Sequence, residues 1–168
     1  MKSRKHIAAF AAVAALAAAG VTATALARDD GRIRSDKMIG VPLNLTGAAG
    51  NIRGLNGAGA AWAIGESEIS VKSSGKVDVE FEDLVFASGQ NTGRNTVGTM
   101  RVMVSCLDAS LQTVNAISEP FAVTVANGAD PGGDADVETK VDLPSPCFAP
   151  IVFVTNPAGV GWFAVVAL

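Results

Sequence analysis

Residues 69–82 read Ile69-Ser70-Val71-Lys72-Ser73-Ser74-Gly75-Lys76-Val77-Asp78-Val79-Glu80-Phe81-Glu82. Ile69 and Val71 lead into a Ser-Ser-Gly break, after which Val77, Val79 and Phe81 alternate with Asp78, Glu80 and Glu82. Successive side chains of a strand point to opposite faces, so this period of two describes a strand with apolar residues inward and acids in water. A Ser-Ser-Gly break between two such runs predicts a hairpin.

The period recurs downstream. Gly89–Gly98 is polar and predicts a loop, and Met100, Val102, Val104 and Cys106 then alternate, which places Cys106 on the apolar face. Phe121, Val123 and Val125 follow Pro120, and 127–134 predicts a Gly-Pro loop. Val137, Thr139, Val141 and Leu143 predict another strand, with Asp136, Glu138, Lys140 and Asp142 facing water. Pro144, Pro146 and Pro150 bracket Cys147 and argue against a central strand there. Ile151–Val154 is a continuous apolar run, Asn156–Gly159 turns, and 161–168 closes the chain. Alternation across that last segment predicts that one of Trp162 and Phe163 faces out. Upstream, the Gly- and Ala-rich stretch from Val41 to Trp62 predicts short strands and turns.

No helical pattern follows residue 27. Seven to nine strands at this spacing predict an all-β fold, a single antiparallel β-sandwich of immunoglobulin-like general architecture over residues 41–168. A transmembrane β-barrel needs aromatic girdles and strands of roughly 9 to 11 residues. This chain has no Tyr, and most of its runs are shorter.

The N-terminus carries a different signal. Lys2, Arg4 and Lys5 precede an apolar segment, Ile7 to Val21, that ends in Ala25-Leu26-Ala27, the order of a secretory signal peptide with an A-x-A cleavage site. The apolar segment falls short of the roughly 20 residues of a membrane span, so residues 1–27 are expected to be cleaved and no span to remain. Residues 28–40 mix both charge signs without periodicity and predict a mobile tail. The expected location is secreted, extracellular or in the cell envelope.

The whole chain carries 13 Lys and Arg against 16 Asp and Glu, a formal charge of −3. Cleavage after Ala27 would remove three basic residues and no acid, leaving ten against 16, or −6. An acidic domain of this kind argues against a nucleic-acid partner. Cys106 and Cys147 are the only cysteines, and an even count in an exported protein reads as one disulfide. Closing that loop is worth roughly 4 kcal/mol on the chain-entropy estimate.

The single histidine, His6, lies in the segment expected to be removed. Without it, Ser-His-Asp and Cys-His nucleophilic systems, His-ligated metals and His general bases are unavailable. A carboxylate pair is the remaining catalytic option, and Glu80, Glu82 and Asp83 are where it would be sought. Glycoside hydrolysis needs two carboxyls facing each other across a cleft, whereas Glu80 and Glu82 share one strand face. For a cation, the loop 127–138 has the best composition, with Asp130, Asp134 and Asp136 as candidate calcium ligands. A turn rich in Asp, Gly and Pro needs no metal. The glycines between 47 and 59 complete neither a dinucleotide fingerprint nor a phosphate loop. Asn44-Leu45-Thr46 satisfies the glycosylation triplet.

Gly54-Leu55-Asn56-Gly57 through Trp62, Val104-Ser105-Cys106-Leu107 and Pro146-Cys147-Phe148-Ala149-Pro150-Ile151-Val152-Phe153-Val154-Thr155 resemble blocks carried by a group of small exported bacterial proteins without an assigned activity. The resemblance implies one exported domain with Cys106 and Cys147 paired, and carries over no catalytic residue. The expected function is that of a binding or structural module with a protein or carbohydrate ligand. A carboxylate-based extracellular hydrolase and a calcium-dependent adhesion module are the alternatives.

Overall fold

The computed structural model describes residues 31–168, so the expected signal peptide at 1–27 lies outside the described residues. The first strands are β1 (Ile33–Ser35), β2 (Ile39–Gly40), β3 (Asn56–Gly57), β4 (Trp62–Ala63), β5 (Ser67–Val71), β6 (Lys76–Phe81) and β7 (Val85–Phe86). After them come β8 (Thr99–Leu107), β9 (Thr113–Ile117), β10 (Phe121–Ala122), β11 (Val125–Asn127) and β12 (Asp130–Gly132). The chain ends through β13 (Ala135–Lys140), β14 (Phe148–Thr155) and β15 (Gly161–Ala167). Two 3-10 turns, Leu43–Leu45 and Gly47–Gly50, lie between β2 and β3. The fold is all-β, as the alternation predicts, with more and shorter strands than the expected seven to nine.

Two sheets form the sandwich. One has the order β1-β5-β6-β13; the other runs β10-β8-β14-β15-β2, with β9 beside β8 and β3 beside β15. All pairings are antiparallel except that of β15 with the two-residue β3. The hairpin predicted at 69–82 is β5–β6, in the register Ile69↔Val79 and Val71↔Val77. Ile69, Val77, Val79 and Phe81 face Met100, Val102, Val104, Val152 and Val154 across one core. Cys106 lies in the same core and is bonded to Cys147, tying β8 to the segment that leads into β14.

The seven-stranded sheet is covered on both faces. Its second face packs Met103, Phe153 and Trp162 against Val41 and Leu55 of the Gly- and Ala-rich stretch. Trp162 donates from Nε1 to the Gly50 carbonyl oxygen at 2.8 Å, and Arg53 donates to the carbonyl oxygens of Ser105 at 2.8 Å and Ala149 at 2.7 Å. Small residues allow this close cover: a Cβ on Gly50 or Gly57 would stand 1.9 or 2.1 Å from the Leu45 carbonyl oxygen. The outward face expected at Trp162 or Phe163 is therefore corrected. The two side chains do point to opposite faces, but both are buried, in separate cores.

Three further expectations are corrected. The stretch read as a tail, 28–40, is described from 31 onward, and there β1 pairs with β5, β2 pairs with β15, and Met38 is buried. Its mixed charges hide short edge strands. The run Phe121 to Val125 is divided between β10, on β8, and β11, which forms a small hairpin with β12 inside the expected loop. Pro150 lies within the central strand β14, at the register shift between Phe148 and Ile151, a bulge where the missing N–H costs no ladder bond.

Candidate functional site

The outer face of the four-stranded sheet has two unlike ends. At one end, charges balance. Asp78 on β6 accepts from Arg32 at 2.9 Å and from the Ser70 hydroxyl at 3.0 Å, and Lys76 lies 3.6 Å from it and bonds Glu138 on β13. Burial would raise the Asp78 pKa, but the Ser70 hydrogen bond and the Lys76 and Arg32 charges outweigh it and hold the carboxyl below its ordinary range. The hydrogen bond to Glu138, acting against desolvation and helped by the Asp78 and Glu138 charges, raises Lys76.

The other end carries one sign of charge. Glu68 on β5, Glu80 on β6 and Asp136 on β13 stand directly opposite one another across three strands. All three are exposed. Among the described residues the one cation within ion-pair reach of this row is Arg34, 3.9 Å from Glu68 with both side chains more than half exposed. Like charges in direct cross-strand register destabilise a sheet. Two hollows flank the ridge formed by Glu80 and Glu82: one of about 400 Å³ with Asp36, Glu66 and Glu68, and one of about 270 Å³ with Thr124, Asp134 and Asp136.

The three candidate calcium ligands, Asp130, Asp134 and Asp136, are not brought together in one group. Among the described residues no group of three or more His, Cys, Asp or Glu is arranged to hold a metal ion. Asp130 accepts from its own turn, at Gly132 N. Asp134 accepts from Asp83 N and from the Thr124 hydroxyl, both at 3.0 Å, and so pins β13 to the end of β6. Asp136 faces Glu80 on the outer surface. The turn chemistry of an Asp-Gly-Pro segment uses the oxygens that a cation would need.

Glu80, Glu82 and Asp83 are exposed neighbours along one strand end, not opposed groups across a cleft. Of the glycines from 47 to 59, Gly50 and Gly57 pack closely against the Leu45 carbonyl oxygen, whereas Gly47, Gly54 and Gly59 stand in open space. Asn44, in the glycosylation triplet, lies exposed in the first 3-10 turn. Trp62 is buried between Phe86 and Phe163, with ring centroids 4.1 and 4.2 Å away. Sequence reasoning read the acids of β6 as solvated, singly. Their alignment with Glu68 and Asp136 depends on strand register, which one strand's pattern does not disclose.

Among the described residues no helix is long and apolar enough to cross a membrane. No family model, no curated protein and no solved structure matches the chain.

Proposed function

We propose that the protein is an exported binding module, acting outside the cell or in its envelope, whose acidic sheet face takes a cationic partner. The observation that carries this reading is the cross-strand row Glu68–Glu80–Asp136. Three carboxylates in register cost stability when the protein is alone. A basic peptide or polyamine laid along the row would relieve that repulsion, and the open hollows on either side leave room for extended cationic side chains. Recognition of this kind is electrostatic, with fast association and strong dependence on salt.

Titration calorimetry with an oligolysine peptide at low and at physiological salt tests the reading. Binding that weakens with salt, and weakens by roughly three- to tenfold in the Glu80→Gln/Asp136→Asn variant, is the expected result. Equal binding by wild type and variant would remove the acidic face from the account.

A further inference from the structure

We propose that the free edge of β9 is a self-association surface, through which two copies of this chain pair antiparallel about a two-fold axis at Asn115. Among the described residues β9 pairs with β8 alone. The ladder register Met103↔Ile117 to Leu107↔Thr113 is framed by Ser118 N donating to the Val102 oxygen and Asp108 N donating to the Gln112 oxygen. In an antiparallel pair, hydrogen-bonded and non-hydrogen-bonded positions alternate. Val114 and Ala116 therefore bond inward to β8. Thr113, Asn115 and Ile117 aim their N–H and C=O groups outward, and all three are exposed.

An open edge of this kind is usually blunted by charge, proline or a bulge. The edge strand β13 follows that rule, with Asp136, Glu138 and Lys140 along it. On the β9 side, Pro120 and the one-residue change of register between β9 and β10 blunt the edge only beyond Ile117. From Ala109 to Ser118 the chain has no charged residue and no proline.

The strand is also complementary to itself. With Asn115 opposite its own copy, Thr113 meets Ile117 of the second copy at both ends and Val114 meets Ala116. Every outward N–H and C=O of the three residues then finds a partner, and no two like charges face each other. Self-pairing of β13, whose outward-bonding residues are Asp136, Glu138 and Lys140, would instead set Glu138 against Glu138 of the other copy, crowding two carboxylates at the axis. A five-residue edge falls below the roughly 1,200 Å² of stable interfaces, so the dimer is a weak one, with a dissociation constant of about 10 μM to 1 mM.

Sedimentation equilibrium of the purified protein over that concentration range, alongside hydrogen exchange, is the test. The weight-average mass should rise toward twice the monomer, with the Thr113, Asn115 and Ile117 amides gaining protection as concentration rises. Asn115→Lys, an exposed substitution that places like charges across the axis, should weaken association at least tenfold while lowering the melting temperature of the dilute protein only slightly, since the Asn115 amide gives up a single long, exposed hydrogen bond to the Arg53 carbonyl oxygen at 3.5 Å. A monomer at every concentration, association untouched by Asn115→Lys, or protection appearing at another edge would each overturn the proposal.

Discussion

Asp78 gathers a hydroxyl, a guanidinium and an ammonium from β5, the segment before β1, and its own strand. Its pKa is held below the ordinary range, so the unfolded chain binds its proton more readily than the folded one. The stability it adds is present above the ordinary Asp range near pH 4 and is lost as pH falls through the lower folded value. Asp78→Asn should therefore flatten the acid limb of stability against pH, read by urea unfolding between about pH 2 and 7; curves that stay parallel would contradict the pairing. Lys76, raised first by its bond to Glu138, acts with the opposite sign. Its contribution is complete below the ordinary Lys range and is lost as pH rises through the raised value. Gly50 makes a steric point at the same scale. Gly50→Ala, with its Cβ driven against the Leu45 carbonyl oxygen, should cost about 1 to 3 kcal/mol, while Gly59→Ala, in open space, should stay within about 0.5. Equal effects in chemical denaturation would mean that the glycine-rich cover is not close-packed.

The disulfide belongs to the scale of elements, because it joins β8 to the approach of β14, the strand that pairs with β8 from Phe148 to Thr155. Replacing Cys106 and Cys147 together by Ser should cost about 2 to 5 kcal/mol in guanidinium unfolding; a variant as stable as the oxidised protein would contradict the role assigned to the bridge. The hairpin β5–β6 was legible because one of its faces is apolar and the other acidic. Strand β14 was legible only as an apolar run, since Val152 and Val154 enter one core and Phe153 the other, which removes the alternation. The second core could not be read in advance. Its cover is a stretch of Gly and Ala whose composition resembles that of an exposed loop, and only the placement of Val41 and Leu55 over Trp162 reveals it. Edge strands were the least legible: β1, β2 and β9 are too short or too polar for a period to show. The grouping of the calcium candidates was illegible for a related reason, since turn-forming and metal-binding oxygens have the same composition.

At the scale of the molecule, charge is distributed by strand register. Lys76, Asp78 and Glu138 neutralise one end of the four-stranded sheet, and Glu68, Glu80 and Asp136 leave the other end acidic. The two sheets can bear that imbalance because two apolar cores and one cross-link hold them together. The proposed export would frame the choice of partner. The intact mass of the protein isolated from its native host should begin at Arg28 and fall two daltons below the free-dithiol value; a mass retaining residues 1–27 would contradict cleavage. The most direct test of the acidic face is an NMR titration of the isotope-labelled protein with oligolysine at low salt. The account predicts that the largest amide shifts fall on Glu68, Glu80, Glu82 and Asp136 and are reversed by added salt. Shifts concentrated elsewhere on the molecule, or none at millimolar peptide, would contradict it.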